Sequence, residues 1–167
     1  PAYFAKAFEA VQQLIRENLI LAGHDISAGG LLTALLEMCF PTPGVGLKAD
    51  IRALGNDAVA ALFAENPGVL IQVSGTNAME QLKNSGIVYQ AVAEVNTSGR
   101  LEVRTANQSL AFPIDDCRAT WFRTSYLFDR VQRTKGHAEK RRDNLTKQIL
   151  SYSFQSRFDG KFTTYGI

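Results

Sequence analysis

Apolar residues return at three- and four-residue steps in the longer stretches of this chain and at two-residue steps in the shorter ones. Phe4, Phe8, Val11, Leu14, Ile15 and Leu19 form one stripe, which predicts a helix over residues 4–21 that Gly23 stops. A second helix is expected over 28–39, with Ser27 as its cap. Pro41-Thr42-Pro43-Gly44 ends it, because neither proline can continue the hydrogen-bond ladder. Val45, Leu47, Ala49 and Ile51 alternate with polar or small residues, the period of a strand. Asn56 or Asp57 can open a helix through Phe63, and the β-branched run 69–73 suits a central strand. A helix over 77–84 ending at Gly86, a strand over 88–95, a hairpin turn at 97–100 and strands over 101–105 and 110–113 come next. Cys117, Trp121, Thr124, Phe128 and Val131 then mark a long helix over 115–133, expected to dock that side on the sheet.

Helices therefore alternate with strands, and the fold class is α/β (α+β), a mixed β-sheet flanked by helices. Residues 1–135 are expected to form the domain. Residues 136–167 read as a charged helix, 138–152, and an extended connector in which Phe154, Phe158, Phe162 and Tyr165 are spaced by small and charged residues.

At 167 residues and 46% hydrophobic, the chain is long enough for one compact core. No run approaches the roughly 18 apolar residues of a membrane span, and Pro1-Ala2-Tyr3-Phe4 lacks the basic start of a signal peptide. A soluble, cytoplasmic protein is expected, with Cys39 and Cys117 as core thiols. The net charge of +2 is unevenly placed: residues 130–147 hold seven Lys or Arg against two acids. No aromatic residue interleaves Lys140-Arg141-Arg142 to make a stacking platform, so a solvated face or a contact with another domain is expected there, and no nucleic acid.

The chemistry concentrates in His24-Asp25-Ile26-Ser27-Ala28-Gly29-Gly30-Leu31-Leu32, where a polar, glycine-bearing loop meets an apolar helix. The first N–H groups of a helix lack internal partners, the dipole adds positive potential, and glycines admit an anion to the backbone. The same letters also describe an ordinary capped helix. Glu37 is expected to face solvent or a partner domain, Asp50, Asp115 and Asp116 to be strand-end and helix-start residues, and Trp121 to be core.

This stretch resembles the His-Asp-x-Ser-x-Gly-Gly-Leu motif of phosphoribosylformylglycinamidine synthases (FGAM synthetases) and, more loosely, aminoimidazole ribonucleotide synthetases. The resemblance extends in order through 31–40, 46–51, 62–73 and 121–132. It implies an aminoimidazole ribonucleotide synthetase C-terminal-domain-like fold, closer to the second of the two copies in large FGAM synthetases. One departure is Ala28, where many members carry Asp, leaving the loop one carboxylate short.

By resemblance, the full enzyme is an ATP-dependent C–N ligase of purine biosynthesis. It uses ATP, Mg2+ and glutamine-derived ammonia to turn formylglycinamide ribonucleotide into the amidine. The resemblance assigns phosphate binding to Asp25, Ser27, Gly29, Gly30 and Leu31. His24 becomes the candidate catalytic residue, donating to a phosphate or to charge on the amide oxygen, against the alternative of a ring that bonds its own loop. No metal ligand is assigned, one carboxylate being no magnesium cage. The implied partners are an ATP-binding synthetase domain, a glutaminase domain and a phosphorylated small molecule, and the domain alone is expected to be inactive. The competing reading is a non-catalytic structural or interaction domain docking a partner domain.

Overall fold

The computed structural model describes residues 2–147; the expected continuation of the last helix to 152 and the connector 153–167 lie outside the described residues. Helix α1 (Ala2–Arg16) is shorter than the stripe predicts. Asn18 takes the left-handed conformation (φ 56°), the Asn18 N–H donates to Ile15 O, and the Leu19 N–H reaches back to Leu14 O. This pair of bonds is the C-terminal lock of a helix, and Asn tolerates the left-handed position it needs. Asn18, not Gly23, is therefore the stop. The chain then enters strand β1 (Ile20–Ile26), with Gly23 inside it.

Helix α2 (Gly30–Cys39), strand β2 (Gly46–Asp50), a 3-10 turn (Arg52–Leu54) and helix α3 (Ala58–Phe63) come next. The Asp57 carboxylate caps α3, accepting from the Val59 and Ala60 N–H groups at 3.0 Å. Strand β3 (Gly68–Val73) precedes helix α4 (Asn77–Asn84), which closes at Gly86 (φ 63°) as expected. Strands β4 (Ala93–Asn96), β5 (Arg100–Arg104) and β6 (Ser109–Pro113) lead into helices α5 (Ile114–Gln132) and α6 (His137–Asn144). β4 starts five residues later than the apolar run suggests. Its partner β2 ends at Asp50, whose N–H donates to Val92 O, so nothing remains for residues 88–91 to pair with.

The strands form two sheets. β4-β2-β5-β6 is mixed, with β2 and β5 parallel and the other pairs antiparallel. β1 and β3 make a separate antiparallel ribbon, so β3 is not the central strand its composition suggests. An apolar run does not fix sheet position, and the ribbon is partly covered by helices, with Leu21 and Val69 left exposed. α1 and α4 cover one face through Leu14, Ala78 and Leu82 against Ile20, Ile71 and Val73. α2 fills the other, with Leu31, Leu35 and Cys39 packed against Leu47, Ala49, Leu101 and Val103 of the mixed sheet and reaching Ile26 and Leu70 of the ribbon.

The long helix α5 is rotated from expectation, and of its predicted face Cys117 alone packs against the core. Ile114, Arg118, Phe122 and Asp129 are buried, while Trp121, Phe128 and Val131 are exposed. The buried charges are paired. Arg118 donates through Nε to Phe40 O at 2.8 Å and binds the Asp115 carboxylate. Asp129 accepts from Arg133 at 2.8 Å and from Arg141 of α6 at 2.6 Å, which clips the two helices together. Asp50 binds Arg52 in a two-pronged ion pair at the end of β2.

The Arg133 and Arg141 guanidiniums hold the Asp129 carboxyl below its ordinary range, against an opposing push from burial. A depressed folded-state pKa adds stability at pH values above the unfolded pKa of about 4, and that stability is lost as pH falls through the folded value. Amide protection factors in α6, exchange rates corrected for intrinsic chemistry, should therefore fall below about pH 4, while in Asp129→Asn protection should already be low at neutral pH. Equal α6 protection in the two proteins at pH 7 would refute the clip.

Burial pushes the Cys39 thiol up to about 11 and also raises Cys117, which is only partly covered. A thiolate-directed reagent should label Cys117 first and reach Cys39 only on unfolding. Equal native rates would contradict this order.

Candidate functional site

The site is built where β1 hands the chain to α2. Ser27 and Ala28 are exposed and begin a tight turn, closed by the Gly30 N–H donating to Ser27 O at 3.0 Å. Gly29, at φ 83° and ψ 2°, occupies the left-handed position that the turn requires and is the residue before the helix. Ser27 is thus not the helix cap. The helix starts two residues later than a Ser27 cap would dictate, and the residue at its threshold makes no side-chain cap bond.

Gly30 is also left-handed (φ 67°), and the C-terminal end of α3 lies directly over it. A Cβ there would stand 2.6 Å from Leu62 O and 2.8 Å from two Phe63 backbone atoms. At Gly29 a Cβ would collide instead with the Thr33 side chain, whose hydroxyl donates to Gly29 O. Backbone cannot move aside as a side chain can.

The structure places the sequence-predicted residues in two groups. Gly29, Gly30 and Leu31 lie together at the turn, Gly30 and Leu31 buried and Gly29 partly so, beside the exposed Ser27. The Gly29 N–H already donates to a carboxylate, that of Glu65, at 2.9 Å. His24 and Asp25 precede the turn as neighbours on β1. The His24 side chain is 29% exposed and the Asp25 side chain 76%.

His24 has its own set of partners. Nδ1 lies 2.6 Å from the Asp25 backbone carbonyl and 3.7 Å from the Asp25 carboxylate, and Nε2 lies 3.0 Å from Glu37 Oε2. Glu37 does not face open solvent: its side chain is 23% exposed, and its second oxygen accepts from the Trp121 indole N–H at 2.7 Å. Trp121 is half-exposed, not core, and tilts against the Phe40 ring with centroids 5.5 Å apart.

Three participants are missed from sequence: Glu65, Glu37 and Trp121. Glu65 is 36 residues from Gly29, and no local pattern links them. Glu37 carries a signal, because it is seven residues beyond Gly30, two turns along a helix whose other residues are almost all apolar. A charged residue at that place needs a partner. Among the described residues no group of three or more His, Cys, Asp or Glu side chains is placed to hold a metal ion. No helix among them is long and apolar enough to cross a membrane.

A mixed sheet and a two-stranded ribbon, joined through one helix that begins at a double glycine, define an α/β domain with an anion-compatible turn. Comparison with known proteins gives this architecture a family. Residues 2–106 match the model of "AIR synthase related protein, C-terminal domain", and the chain belongs to that family. It is 33% identical over 147 residues to the probable chloroplastic/mitochondrial phosphoribosylformylglycinamidine synthase of Arabidopsis thaliana, which covers 86% of this chain. It is 34% identical over 140 residues to the phosphoribosylformylglycinamidine synthase of Homo sapiens, covering 79%. In both cases it spans 10% of the relative's length. The resemblance to these synthases is borne out.

Solved structures of PurL from T. maritima share the fold. The form complexed with ATP superposes with a TM-score of 0.57 at 19% identity over 66% of this chain. The form complexed with FGAR gives 0.59 at 18% identity over 68%. Each comparison takes in 20% of the PurL chain.

The glycine geometry sets an order of substitution costs. Gly30→Ala should destabilise the protein by about 2–4 kcal/mol, combining left-handed strain with a backbone clash. Gly29→Ala should cost about 1–2 kcal/mol, because Thr33 can rotate away. Urea denaturation of both variants measures this, and a Gly30→Ala protein as stable as the parent would disprove the close approach.

Proposed function

We propose that this chain is a domain of an ATP-dependent C–N ligase acting on formylglycinamide ribonucleotide, and that it contributes the turn at 27–31 as a cradle for a phosphate of substrate or nucleotide. The observation that carries this reading is the Gly29 N–H, which binds a carboxylate at the start of α2 in a chain of this family. A donor that binds one oxyanion can bind another. The PurL structures complexed with ATP and with FGAR support a phosphorylated ligand for this fold.

The fit is partial. The Gly29 N–H and the exposed Ser27 hydroxyl suit a phosphate, while the Gly30 N–H is taken by Ser27 O, the described residues supply no magnesium cage, and Ala28 adds no carboxylate. Magnesium-bound ATP would supply the activating phosphoryl group; its metal ligands would come from other domains. Within this chain the work is binding and orientation. Phosphate oxygens would meet the turn, Glu65 would give way, and His24 and Asp25 would border the site from β1. Because the chain spans a tenth of its curated relatives, we assign turnover to the assembled synthetase and glutaminase domains together.

The exposed apolar line of Trp121, Phe128 and Val131 favours a second and compatible reading, in which α5 also docks another domain of the same polypeptide.

The test is a titration of the chain with formylglycinamide ribonucleotide, and separately with ADP plus magnesium, following the Gly29, Gly30 and Leu31 amides by NMR. Saturable shifts with either ligand are expected. Glu65→Ala should tighten binding roughly two- to fivefold, the equivalent of one exposed charge-assisted hydrogen bond of about 0.5–1 kcal/mol. Motionless turn amides with both ligands in folded parent and variant would sink the cradle.

A further inference from the structure

Both ring nitrogens of His24 face oxygen acceptors. A backbone carbonyl can only accept, so Nδ1, 2.6 Å from Asp25 O, must carry a proton. An ionised carboxylate can only accept too, so Nε2, 3.0 Å from Glu37 Oε2, is matched when it also carries one. The other Glu37 oxygen is fixed by the Trp121 indole N–H at 2.7 Å, and that ring is braced on Phe40. Phe40 is held in turn through its carbonyl by the buried Arg118. The imidazole before the glycine turn is thus connected, by bonds and packing, to the side of α5.

We propose that His24, Glu37 and Trp121 form a positioning relay. Glu37 orients the His24 ring, Trp121 orients Glu37, and the protonation of His24 is sensed at the Trp121 indole through the shared carboxylate. The relay goes beyond the phosphate reading and does not depend on it: it concerns the neighbours of the ring and holds with or without an anion at the turn. When the ring carries two protons, Glu37 bridges two donors. When Nε2 gives up its proton, an unshared electron pair faces the carboxylate, and Glu37 must shift its weight toward Trp121. That turns a side chain on β1 and one on α5 into a single unit, 97 residues apart in sequence.

The ionisable groups around His24 are few. Asp25 is on its own strand and Glu37 is on α2, whose other titratable group, Cys39, is buried in the core. β3 faces it with Leu70 and carries no ionisable side chain, and α5 reaches the cluster through Trp121. Glu65, on the segment before β3, bonds the turn at Gly29.

The chain contains one tryptophan and two histidines, so the relay has its own reporter. The Trp121 indole N–H is followed by two-dimensional NMR as pH is varied over the range in which the protein stays folded. The parent and His137→Gln should show the cross-peak moving through a single transition. His137 opens α6, beyond Arg133, which is twelve residues or about 18 Å along α5 from Trp121. In His24→Gln the movement should vanish. Glu37→Gln should also abolish it while the rest of the spectrum stays dispersed, because a neutral amide no longer links the two rings by charge. A role limited to packing would leave the indole signal independent of pH. A stationary cross-peak in the folded parent, or a transition that persists in His24→Gln or in Glu37→Gln, would overturn the relay.

Discussion

The absence of a side chain at Gly30 is the constraint on which the rest of the structure depends. The backbone of α3 at Leu62 and Phe63 lies where a Cβ would be, and the left-handed φ of Gly30 turns the chain from β1 into α2 in the same place. Three elements are thereby fixed by one residue. α2 can then begin beneath α3, run between the ribbon and the mixed sheet, and bring Leu31, Leu35 and Cys39 to the core. A bulkier residue would have to push α3 off α2, and Glu65, two residues past the end of α3, would leave the turn with it.

That same constraint explains why the candidate site is made from distant parts of the chain. The turn supplies the Gly29 N–H, the segment after α3 supplies Glu65, the last turn of α2 supplies Glu37, and α5 supplies Trp121. On β1, Asp25 is exposed and His24 partly buried, with the carboxylate 3.7 Å from the ring. Family membership accounts for the wording of the loop. The contacts to Glu65, Glu37 and Trp121 account for what the loop touches, and they are visible only once the fold is assembled.

Much of the fold is legible in the sequence, and the reasons for the misses are physical. Helices α2, α3 and α4 and strands β2, β5 and β6 fall within a few residues of their expected positions, since period, cap and breaker agree there. β1 is hidden because Leu19 and Ile20 continue the apolar spacing of α1, and a lone Asn stop outweighs that spacing only through its backbone geometry. At the site, the glycine turn is legible from composition, whereas Ser27 as a cap is not sustained: the left-handed Gly29 moves the helix start past it. Glu37 and Trp121 escape the sequence for a common reason. Each satisfies the other across 84 residues, so the lone charge on apolar α2 signals that Glu37 needs a partner but not which one.

The orientation of α5 is the sharpest case of tertiary structure overriding pattern. By apolar count the Cys117-Trp121-Phe128-Val131 side should face the sheet, yet the buried side carries Arg118 and Asp129. The rotation goes with what each buried group finds. Arg118 meets the carbonyl of Phe40 at the end of α2, which has few partners of its own at a helix terminus, and Asp129 meets two arginines that bind α6. Ile114 and Phe122 supply the apolar contact on that side. Turning the helix to bury Phe128 and Val131 would strand the Phe40 carbonyl and break the clip to α6; as it stands, Trp121, Phe128 and Val131 are left outside and Arg118 Nη2 goes without a partner among the described residues. Trp121 stands at the border between the two sides, close enough to α2 to bond Glu37 and far enough out to remain half-exposed. The rotation of α5 therefore sets the indole N–H that holds Glu37, and through it the ring of His24.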